Sequence, residues 1–181
     1  MLQSPIKQRS IIHNILLDNM KKKSVNVLST FSQKVKDAVT DLSVDIFGYQ
    51  KMVTNNIIQN TEFISNKINI PKERLFLKIF QKDHIIKAFL FNQSKAIQVI
   101  PTSELAYFFV DRKTAELSRI QNKIAFSIKK YLSDFSLENN IDTDSIDIWI
   151  HVKDEKVSIQ AFEKDQFIKE ISMGSLIKFF R

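Results

Sequence analysis

Cysteine is absent from the 181 residues, and glycine occurs only at positions 48 and 174. Without cysteine there is no disulfide, no thiolate nucleophile and no zinc site built on sulfur. Two glycines cannot form the loops that cradle phosphates in Walker or dinucleotide-binding motifs. The three histidines, His13, His84 and His151, fall on a helix, a turn and a strand of the expected pattern. No second ligand stands at a fixed spacing from any of them, so they carry no metal or general-base signature. No serine lies in a nucleophile-elbow context. No run approaches the ~20 apolar residues of a membrane-spanning helix, and the start, MLQSPIKQRS, leads into a short apolar patch without a cleavage site. These absences argue against an enzyme, a cofactor, a metal site and an integral membrane protein, and the expected location, consistent with a reducing compartment, is the cytoplasm.

What is present is charge and patterned apolar residues. The net charge is +7, and it is uneven: residues 1–100 hold 15 Lys/Arg against 7 Asp/Glu, residues 101–181 hold 12 against 13. The basic half suits nucleic acid, an anionic surface or an acidic protein. In residues 1–40, Ile12, Ile15 and Leu16 share one side of a short helix that stops at Lys21, Lys22 and Lys23, an arm suited to docking. From Leu28 to Ile68 apolar residues recur at about 3.6 positions, passing Gly48 and Asn60, which predicts long helix ending before Ile70-Pro71.

The period then changes to strict alternation. LFLKIFQ (75–81), IIKAFLF (85–91) and KAIQVI (95–100) read as three strands joined by KDH and NQS. Pro101-Thr102-Ser103-Glu104 opens a helical stretch to about Asn139, with a break near Asp111 and Thr102 or Ser103 as cap. IDIWIHV (146–152), KVSIQAF (156–162) and QFIKEIS (166–172) form a second meander, followed by GSLIKFFR.

The two meanders are related. Sliding the chain by 71 residues aligns 75–109 with 146–180 without a gap, and nine of 35 positions are identical. Lys82-Asp83 meets Lys153-Asp154, Phe91 meets Phe162, and Leu105, Phe108 and Phe109 meet Leu176, Phe179 and Phe180. The same frame superposes helical positions: Val53 on Ile124 and Ile57 on Ile128. Identity, helix phase and turn position agree, as a duplication requires. The expected fold is α+β: two tandem α-βββ units, 41–109 and 110–181, forming an antiparallel sheet of about six strands with packed helices, within one globular domain carrying the N-terminal arm. In element order alone, this is broadly similar to class I type III secretion chaperones; those are typically acidic, whereas this chain is basic.

Alternation gives the sheet two chemistries. Leu75, Leu77, Ile79, Ile86, Ala88 and Leu90, with Ile146, Ile148, Ile150, Val157, Ile159 and Ala161, form the core face. The other face holds Phe76, Lys78, Phe80, Lys87, Phe89 and Phe91, then Trp149, His151, Lys156, Gln160 and Phe162. Rings interleaved with lysines suit single-stranded nucleic acid; covered, they suit a helix, a second copy or a protein partner. The acidic run Asp142, Asp144, Asp147 lacks the glycine and terminal glutamate of an EF-hand loop and reads as caps. The expected function is a non-catalytic protein-interaction or assembly module, with nucleic-acid binding through the aromatic face as the alternative.

Overall fold

The computed structural model describes residues 46–177; the arm residues Ile12 to Lys23, and Phe179 and Phe180, lie outside that range. Helix α1 occupies 46–68 and runs through Gly48, where a side chain would meet nothing within 4 Å. It ends at Asn69, whose φ of 54° is a conformation asparagine tolerates, two residues before Pro71. Strands β1 (Leu75–Lys82), β2 (Ile85–Asn92) and β3 (Lys95–Ile100) follow, then β4 (Ile146–Lys153), β5 (Lys156–Glu163) and β6 (Gln166–Glu170). The stretch between the meanders is broken twice. Short helix α2 (Thr102–Leu105) starts after Pro101 with no side-chain cap, so neither Thr102 nor Ser103 caps it. Asp111 caps α3 (Arg112–Ala115) by accepting from the Thr114 amide, and Leu117 precedes the 22-residue α4 (Ser118–Asn139). Helix α5 (Met173–Ile177) closes the described chain.

All six strands form one antiparallel sheet in the order β3-β2-β1-β4-β5-β6. The halves therefore share a sheet through β1 and β4 instead of packing face to face. The register has a local twofold axis. Lys78 and Trp149 are 71 residues apart and pair with each other, and Phe76↔His151 and Phe80↔Asp147 exchange places about them. The 71-residue relation extends to detail. The β2–β3 and β5–β6 bulges fall at Leu90/Phe91 and Ala161/Phe162. Asn69 and Asn140 share a φ of 54°. The Ser65 hydroxyl donates to the Ile70 carbonyl as the Ser136 hydroxyl donates to that of Ile141.

The core lies on one face of the sheet. Leu75, Leu77, Ile79, Ala88 and Leu90 with Ile146, Ile148, Ile150 and Ile159 are buried against Val53 and Ile57 of α1 and Ile124, Ile128, Leu132 and Phe135 of α4. Each of these side chains larger than Ala88 contributes about 1.5–3 kcal/mol by leaving water. On α1 the third turn of the apolar series is Thr61, not Asn60: it is 7% exposed, and its hydroxyl is satisfied by the Ile57 carbonyl at 2.7 Å. Leu105, Phe108 and Phe109 are buried in the first half, and Leu176 takes the position equivalent to Leu105 in the second.

Candidate functional site

Pleating aims every second residue of these strands away from the helices. Strand β1 shows the pattern plainly: Leu75, Leu77, Ile79 and Gln81 are buried, while Phe76, Lys78 and Phe80 are half-buried. The register brings Phe76, Lys78 and Phe80 of β1 beside Phe91, Phe89 and Lys87 of β2, and on the other side beside His151, Trp149 and Asp147 of β4. Gln160 and Phe162 of β5 continue the same face. The sequence-predicted candidates thus occupy one surface, with exposed Lys156 at its margin paired to Lys153.

The rings pack on one another. Phe91 lies 4.9 Å from Trp149 between centroids, Phe80 stacks on Phe89 at 5.7 Å, and Phe76 stacks on His151 at 4.1 Å. Phe162 joins Trp149 edge-on at 6.4 Å and meets Phe167 of β6 at 5.7 Å. Such offset and edge-on pairs contribute beyond the area they bury. His151 is oriented further by a 2.8 Å hydrogen bond between Nε2 and the Glu73 carbonyl. Toward the sheet margins the apolar surface opens to solvent: Ile85 and Val99 are each 61% exposed and Phe167 58%.

Lys78 sits on the twofold at the middle of this face. Its Nζ lies 5.3 Å from the Trp149 ring centre and 5.5 Å from that of Phe80, within cation–π range. It also donates to Asp147 Oδ2 at 2.8 Å, with 19% of the lysine and 15% of the aspartate side chain exposed. Burial raises the Asp147 carboxyl above its ordinary value, and the Lys78 ammonium opposes that shift. Asp147, Val99, Ile85 and Phe167 belong to the face although sequence reasoning left them out. Alternation places Asp147 opposite to Ile146 and Ile148, but its partner follows only from the β1–β4 register.

No protein-family model, curated protein or solved structure matches this chain. Function therefore rests on what the side chains can do. The other two carboxylates of the 142–147 run are engaged within the fold. Asp142 accepts from the Asp144 amide and the Ser145 hydroxyl, and Asp144 accepts from the Gln81 amide at 3.0 Å. That last bond explains how Gln81 is tolerated at 5% exposure on the core side of β1. Among the described residues no three His, Asp or Glu side chains gather as a metal site, and no helix is long and apolar enough to cross a membrane. The outer sheet face, aromatic at its centre and lysine-bearing at its ends, is the candidate site.

Proposed function

We propose that this chain is a non-catalytic binding module that docks a protein partner on the outer face of its sheet. The observation that carries this reading is the aromatic cluster of Phe76, Phe80, Phe89, Phe91, Trp149 and Phe162, set on the face opposite the helix-packed core. Protein interfaces concentrate aromatic side chains at a desolvated centre within a polar rim. The charge at the centre is already matched internally by Lys78 and Asp147, so a partner need not supply a counter-charge there. Toward the hairpin ends, Lys82, Lys87, Lys153 and Lys156 stand beside Asp83, Asp154 and Glu155 of the turns, a rim of mixed charge that suits an amphipathic polypeptide with polar flanks.

The interleaving of rings with Lys87 and Lys156 supports a second reading, single-stranded nucleic acid stacked on the sheet. Commitment of Lys78 to Asp147 removes the central cation such a strand would use, which favours the protein reading. Capture from native extract, with and without nuclease, tests both against a Phe89→Glu/Phe91→Glu variant. A nuclease-resistant partner lost with the variant supports protein docking; recovery of the same partner by the variant would sink it. Trp149 is the single tryptophan, so its emission reports oligonucleotide binding directly. Salt-sensitive quenching by oligonucleotide would transfer the assignment to nucleic acid.

A further inference from the structure

On the helix side of the sheet, a cavity of about 530 Å³ lies between α1, β3 and the 102–112 stretch. Its size is typical of ligand sites, and the fold does not require it. The second half carries the equivalent hollow, and there only about 100 Å³ remains. The first hollow is also walled by Tyr107, Phe108, Val110 and Arg112, whose counterparts from position 178 onward lie outside the described residues. Tyr131 and Phe135 line the closed hollow at the positions where Asn60 and Ile64 line the open one. The first half carries the smaller side chains at these two positions, and the space beside them is lined largely by polar groups.

Those groups are mainly carboxamides: Asn56, Gln59 and Asn60 on one side of α1, and Gln98 facing them from β3. A carboxamide offers one acceptor and two donors, matching the C=O and N–H of a peptide group. Asn56 Nδ2 is itself buried out of reach and has no hydrogen-bond partner, so the groups open to a ligand are the half-buried or exposed carboxamides of Gln59, Asn60 and Gln98. Lys67 and Arg112 outnumber Glu104 among the charged lining residues. Arg112 is held over the rings of Phe63 at 5.0 Å and Tyr107 at 5.6 Å, a stacked pose that leaves the edge of a guanidinium available to a carboxylate. Ile64 and Phe108 supply an apolar wall.

We propose that this cavity binds a short peptide segment bearing an acidic side chain, its backbone met by the carboxamides and its carboxylate by Arg112. The site is separate from the outer sheet face and does not depend on that face having a partner. Random heptapeptides displayed on phage and selected on the full chain provide the probe. Enriched peptides, made synthetically, are then titrated by fluorescence anisotropy. Asn60→Tyr/Ile64→Phe transplants the second half's filling; it should keep the melting temperature and weaken binding by about a hundredfold or more, while Arg112→Ala weakens it roughly tenfold. Phe126→Ser, at an exposed position of α4 outside the cavity and the outer sheet face, should leave binding unchanged. Selection without a shared acidic residue would overturn the proposal, as would unchanged affinity in Arg112→Ala or in the folded double variant. Displacement of the peptides by mononucleotides would overturn the ligand class.

Discussion

Replacing Lys78 by methionine keeps an unbranched apolar stem beside Trp149 and removes only the ammonium. Asp147 is then left 15% exposed and without its 2.8 Å donor. A hydrogen bond to a charged group contributes about 1.5–3 kcal/mol, and breaking a fully buried ion pair costs about 3–5 kcal/mol. The remaining exposure of both groups puts the expected loss near the lower range, about 2 kcal/mol. For a chain of this size that corresponds to a fall of roughly 4–8 °C in Tm. Adding Asp147→Leu removes the stranded charge, and the double variant should return to within about 1 kcal/mol of the parent. The pH dependence has a definite sign. Burial raises the folded-state pKa of Asp147, so its ionised form opposes folding above that pKa and the cost is relieved as pH falls through it. The Lys78→Met deficit should therefore shrink toward acidic pH. Urea denaturation followed by far-ultraviolet circular dichroism, across pH, measures all of this. A Lys78→Met protein as stable as its parent at neutral pH, or a double variant less stable than the single, would refute the reasoning.

Three further outcomes are expected. Leu132 is fully buried, so Leu132→Ala should cost about 2–5 kcal/mol in the same denaturation assay. The Tyr131 phenol is pushed up to about 12 by burial, against a hydrogen bond with Ser175; the unfolded phenol ionises near ~10, so stability should decline between those values and Tyr131→Phe should flatten the decline, read by alkaline denaturation. His84 and Asp165 hold φ values of 63° and 70° in tight hairpin turns, and glycine at either site should stabilise by about 1 kcal/mol, seen as a higher urea midpoint.

The strands were legible because alternation and polar links coincide: LFLKIFQ and IIKAFLF differ from β1 and β2 only by Lys82 and Asn92 at their ends. The tandem arrangement was legible because a 71-residue shift carries one half's pattern onto the other. What local sequence does not encode is which strands meet across the halves. The β1–β4 pairing is made by residues about 70 positions apart, so the tie of Lys78 to Asp147 and the seat of Lys78 over Trp149 emerge only with the register. The second break before α4, at Leu117, was hidden because TAEL has no strong helix breaker. The cavity was invisible for a related reason: Asn60 falls near the apolar phase of α1, and only the fold shows that Thr61 turns to the core while Asn60 faces the open space.

The twofold through Lys78 and Trp149 carries a consequence for ancestry. Two identical chains joined in this register would set the axis residue against its own copy, because an isologous contact must complement itself. A lysine there would face a lysine, and the pairs Phe76–His151 and Phe80–Asp147 would be one pair repeated. Joined in a single polypeptide, the halves could diverge independently at those positions. One copy now supplies the cation, the other the indole and the carboxylate that receive it. The asymmetry at the seam is chemistry that a symmetric pair of subunits could not have encoded.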